Sequence, residues 1–519
     1  MGAVDLRKDR FVRAALIPTV IVVALASGCA PSSADASPDP SGSPALQVRE
    51  LGIHSLTLPS GDPGELAVTT SQLLFDRAPV VVLATAGDES AAPALAAVAT
   101  ALNAPALLVH SDSDTAPAVE AKRLGAQAAV VVGEDVEELP AQDPAMTGAQ
   151  EPVEDLAAAA QVVAERAGLH VVRLDPDAVL RSEPGGGAEG AAGTAGDAAA
   201  GEQAAPGVVA DDAVGTLDPR RLSALREELA EAAPAVRDPE LLTEVLALVD
   251  PQPGQEAALA TLRAAGAVLY AVPGGDPGAS AEAVQMIHDA QALTVIGVGP
   301  SFDDADRFTW QVRAAEKGQQ LPTGTQRLLP ARFDAVATRL GRTTQQTLAA
   351  TDSLGETAPG AGAADAPVVP TLVLRASARQ TAPGPDGQYL RAEAVEDLEP
   401  VVAAAQQEGR YVVLELEGGA VALDDQVRAL APLLARGGVG VLVHPEQRRS
   451  GAGVVKGGSV PVAELQATVD YLAGMVTKSA LPQTLLAVSD LDSAVQDADE
   501  LVARPQVAVI DADELRSRR

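Results

Sequence analysis

The chain has 519 residues and a formal net charge of −34, with 71 acidic against 37 basic side chains. A surface this acidic repels nucleic acid and anionic lipid headgroups, so neither is expected as a partner. Aromatic residues make up 2% and Cys29 is the only cysteine. Few rings are left for stacking sugars, and disulfides and thiolate metal sites are excluded.

The first element is a leader. Arg7, Lys8, Arg10 and Arg13 form a basic front, Ala14 to Leu25 an apolar core, and Ala26, Ser27 and Gly28 a small-residue approach to Cys29. This layout predicts a secretory signal peptide over 1–28, short of the roughly 20 apolar residues of a membrane span. The stretch "LASGC" resembles the lipobox of bacterial lipoproteins, with Ala26 where that motif usually has Leu. The resemblance implies acyl chains such as palmitate on the Cys29 sulfur. It also implies cleavage just before Cys29 and anchorage on the extracellular face of the cell membrane. Each buried methylene adds roughly 0.8 kcal/mol, so more than one chain anchors durably.

Residues 29–45 are rich in Pro and Ser and read as a flexible tether. Two further low-complexity stretches, a Gly/Ala linker over 183–207 that is expected to be disordered and a second linker over 355–367, divide the rest. Three folded blocks are expected: 46–182, 208–354 and 368–519. In the first block, continuous apolar runs such as "APVVVLATA" and "AQAAVVVG" alternate with helical stretches such as "SAAPALAAVATALN" and "VEDLAAAAQVVAERAG". The second repeats the scheme with "LLTEVLALV", "AVLYAVP" and "LTVIGVG" around "GQEAALATLRAAG" and "SAEAVQMIHDA". Alternating β and α predicts an α/β fold with parallel sheets of βα repeats. The third block has five strand-like runs, ending with "QTLLAVSD" and "PQVAVIDAD". They predict an open α/β sheet or, preferably, a (β/α) barrel-like domain.

Within the first block, "PVVVLATAGDESAAPALAAVATALNAPALLV" followed by "AKRLGAQAAVVVGEDV" resembles one unit of the cell wall-binding repeat 2 family, over about Thr69 to Val136. The resemblance implies attachment to a cell-wall polymer, with Gly87-Asp88-Glu89-Ser90 in place of the family's acidic loop; that loop's aromatic is absent here. Asp88 and Glu89 are therefore a candidate ligand loop. The stretches around "TVIGVGPSFDDADRFTWQVRAAE" and "VGVLVHPEQR" resemble long actinobacterial lipoproteins of unknown function.

Candidate chemistry lies in the third block. Glu415 and Glu417 are two apart on a strand and so share a face. Glu446, Asp490 and Asp511 follow strand ends, the edge at which parallel α/β folds bind ligands. Converging carboxylates there could act as general acid and base on a glycoside, with His444 as the other titratable group. Equally, they could hold a divalent cation by oxygen, cap the following helices or face solvent. His110-Ser111-Asp112 cannot form a triad from adjacent positions. "GVGPSF" lacks the third glycine of a dinucleotide fingerprint and reads as a helix cap. No metal-ligand spacing or cofactor motif is present, and neither is expected. Trp310 reads as a core or interdomain anchor ahead of a ligand platform.

The sequence therefore points to a lipid-anchored envelope protein that binds a cell-wall polymer or envelope partner without turning it over. The alternatives are a glycoside hydrolase-like enzyme using Glu415, Glu417, His444, Glu446 and Asp490, and a solute-binding lipoprotein of a transporter.

Overall fold

Runs of Val, Leu and Ala become strands buried on both faces, because helices cover each side of a parallel sheet. The computed structural model describes residues 46–133, 156–176, 207–208, 217–233, 240–352, 367–384, 389–448 and 458–516. The leader, the tether with Cys29, and most of both linkers lie outside them. The described residues all fall within one unit, Ser43–Arg519. None of its described helices is long and apolar enough to cross a membrane.

The chain enters through a short strand, β1 (Ser55–Leu58), and a helix, α1 (Pro63–Leu74). α1 begins where the Asp62 carboxylate accepts the Glu65 N–H at 2.7 Å and Pro63 occupies the first turn. Four strands follow with their helices: β2 (Val80–Thr85), α2 (Ala92–Leu102), β3 (Ala106–Val109), α3 (Ala116–Leu124), β4 (Ala128–Val132), α4 (Leu156–Ala167) and β5 (His170–Leu174). They make a parallel sheet in the order β3-β2-β4-β5.

A second sheet contains β6 (Gly207–Val208), β7 (Val245–Val249), β8 (Val268–Ala271) and β9 (Thr294–Val298). Helices α5 (Glu256–Ala264) and α6 (Ala281–Ala290) connect its central strands, and α7 (Ala305–Glu316) follows them. Its order is β1-β9-β7-β8-β6, parallel except for β6. Sheet membership thus crosses the division expected between 46–182 and 208–354. The four residues of β1 have backbone groups to satisfy, and the free edge of β9 satisfies them. The two sheets pack through α1 and α2 against α5. Thr261 on α5 accepts the Ala106 N–H at 2.9 Å and so occupies the edge strand β3.

The third sheet has six parallel strands in chain order: β10 (Arg332–Thr338), β11 (Val368–Arg375), β12 (Tyr411–Leu416), β13 (Val439–Val443), β14 (Thr484–Val488) and β15 (Val507–Asp511). It exceeds the expected five by β10, whose interleaved Arg332, Asp334 and Thr338 hide it from an apolar-run reading. Chain-order progression is the barrel pattern, and here it curls into a half-barrel. Helices α8 (Val395–Gln407) and α9 (Val462–Ser479) cover the outer face. The last helix, α10 (Ala512–Arg516), touches both edge strands, β10 and β15. Leu321, Leu328, Phe333 and Leu515 fill the inner face together with Tyr411 and Val413.

Trp310 on α7 is buried against Val476 and Leu481, and its indole N–H donates to the Leu481 carbonyl at 2.8 Å. It is an anchor between the second and third sheets, as one of its two sequence readings anticipates. "GVGPSF" ends β9 and leads to α7, which the Asp304 carboxylate caps by accepting the Arg307 N–H at 2.9 Å.

Candidate functional site

In the half-barrel, alternate residues of each strand point inward. On β12 these are Tyr411 and Val413, on β11 Val369 and Val373, and on β13 Leu442. Continuing the alternation past these apolar residues brings Glu415, Arg375 and His444 to the same face at the strands' C-terminal ends. Arg375 is registered directly beside Glu415. The inner face therefore changes from apolar floor to charged mouth within one residue pair per strand.

His444 is 5% exposed and lies between two carboxylates. Its Nδ1 is 2.9 Å from Glu446 Oε1 and its Nε2 is 3.2 Å from Glu415 Oε1. Arg375 Nε lies 3.4 Å from Glu415 Oε2, and its terminal nitrogen 3.6 Å from Glu417 Oε1. Arg379, on the hairpin of Ser377–Arg379 with Leu390–Ala392, reaches Glu417 Oε2 at 3.2 Å. Three carboxylates thus face two guanidinium groups and one imidazole.

Burial alone would lower the His444 pKa, but hydrogen bonds to Glu415 and Glu446 outweigh it and raise the value to about 9. The hydrogen bond from His444 is the main cause holding Glu415 below the usual carboxylate range. Burial pushes Glu446 the other way, and His444 again prevails and lowers it. At neutral pH the imidazole is charged and the network is balanced, three against three.

These shifts predict a pH dependence. The folded pKa of His444 lies above its ordinary 6.5, so its contribution is complete below pH 6.5 and is lost as pH rises through about 9. The size is about 3 kcal/mol. Glu415 and Glu446 are depressed below 4.5, so the same contacts weaken again as pH falls beneath that value. Denaturant unfolding at pH 6, 8 and 10 should show wild type losing stability relative to His444→Gln; parallel curves would refute the charged clamp.

The structure brings Glu415, Glu417, His444 and Glu446 together, and among the described residues the Asp490 side chain makes no ion pair or hydrogen bond to them. Asp490 is exposed, with φ +50°, ahead of the short helix Leu491–Ala494. Asp511 accepts the N–H groups of Leu491 at 3.1 Å and Asp513 at 2.8 Å, a capping role. Arg375 and Arg379 are the members that the sequence reading missed. The signal was an Arg ending the strand run "TLVLR", placed like Glu415 one strand away.

The Asp88–Glu89 loop lies at the C-terminal end of β2. Asp88 Oδ1 accepts the N–H groups of Ser90 and Ala91, each at 3.1 Å, and so holds the turn that leads into α2. Both acidic residues also line a cleft of about 480 Å³, whose far wall is the Pro253–Glu256 turn ahead of α5. Gly254, at φ +89°, lets that turn close on α1, since an added Cβ would lie 2.6 Å from Pro63 Cγ. His110 lines a neighbouring cleft of about 370 Å³ and stands 3.5 Å from Asp114 and 3.7 Å from Asp62. Ser111 turns to Ser113 instead, at 3.0 Å, so no triad forms there.

No protein-family model matches the chain, and no curated protein does. Among solved structures it is similar to "Cwp6 from Clostridium difficile", at 12% identity and a TM-score of 0.32. The match covers 86% of this chain and 65% of the other, so this chain spans about two thirds of its neighbour's length. A likeness of that degree says nothing of what this chain binds.

Proposed function

We propose that this chain is an exported protein, held by acyl chains on Cys29, that binds a cell-wall polymer or envelope partner without chemically altering it. The observation that carries the non-catalytic part is the commitment of the mouth. Both nitrogens of His444 are taken by Glu415 and Glu446, while Arg375 and Arg379 hold Glu415 and Glu417. A general base needs a carboxylate or imidazole free to take a proton, and a general acid needs a proton it can release near neutral pH. A clamped imidazolium and ion-paired carboxylates meet neither need, and Glu446 Oε2, which has no hydrogen-bond partner among the described residues, is buried away from solvent. The network instead braces the ends of three neighbouring strands.

Binding in this reading belongs to the repeat-like first block, at the open cleft beside Asp88 and Glu89. The tether over 29–45 lifts that block from the membrane. The leader, its small residues before Cys29 and the strongly acidic body all support an address outside the cytoplasm.

Sedimentation with purified cell wall tests the proposal. The protein is expected in the pellet and is released by soluble wall fragments. Retention in the supernatant at every salt concentration would defeat the wall-binding reading. Cys29→Ala should move the protein out of the membrane fraction, and unchanged membrane association would contradict the anchor.

A further inference from the structure

We draw no further inference here: the strongest candidate, the cleft of about 370 Å³ between α1 and α3 where His110 stands between Asp62 and Asp114, carries nothing, because both carboxylates hold local turns and nothing else among the described residues points to a ligand there.

Discussion

Replacing Glu415 with alanine is expected to destabilise the folded chain by about 3–5 kcal/mol, the cost of removing one partner from a buried ion pair. The residue is 8% exposed and His444 is 5% exposed, so water cannot take the place of the lost carboxylate. The imidazolium keeps Glu446 alone, and Arg375 keeps only the longer contact to Glu417. Chemical denaturation reads the loss directly as a lower midpoint. Adding His444→Leu should restore part of it, because the stranded charge is then gone; two changes that simply add would show that the pair is not coupled. A loss below about 1 kcal/mol for Glu415→Ala would put the network in the class of exposed pairs.

Trp310→Ala is expected to cost about 3–5 kcal/mol, the usual range for deleting a large buried aromatic. The indole is 2% exposed and fills the space between α7 and the end of α9. Its loss also strands the Leu481 carbonyl. Trp310→Phe separates the two effects, since it keeps most of the apolar area and loses the donor, at about 1–3 kcal/mol. Lys317 donates to the Ser479 carbonyl at 2.8 Å and the Gln483 N–H to the Gln326 carbonyl at 2.9 Å. These are polar contacts and do not supply the apolar burial that the indole does. The alanine variant should therefore unfold in two steps, the second sheet parting from the third. A single unshifted transition would show that the anchor is dispensable.

The strands that were plain in the sequence are those buried on both faces. β4, β7, β9, β13 and β14 are buried at every residue, and each is an apolar run, led by a threonine in β9 and β14. β1 and β10 escaped notice for two separate reasons. β1 is four residues whose partner strand lies in a later block, and no local pattern announces a long-range pairing. β10 is an edge strand with partly exposed positions, so polar residues interrupt it.

The mouth was legible in the same partial way. Period-two spacing put Glu415 and Glu417 on one face, and the strand-end position of His444 followed from the apolar run before it. Arg375 and Arg379 stayed hidden because their meaning depends on which strand lies beside β12, and sheet order decides that. Asp490 reads like Glu446 in the sequence, each just past an apolar run. Yet its left-handed backbone opens a short helix and leaves it exposed.

Residue pattern alone determined the α/β class, the parallel sheets and the strand ends at which charge collects. Those features depend on hydrophobic period and on the need to bury continuous apolar runs, both properties of short segments. Tertiary structure alone decided that Glu415, Glu417 and Glu446 meet Arg375, Arg379 and His444 at the mouth and that β1 joins the second sheet. Coulomb and hydrogen-bond partners are fixed by distances across strands and loops far apart in the chain, and local spacing carries no record of those distances.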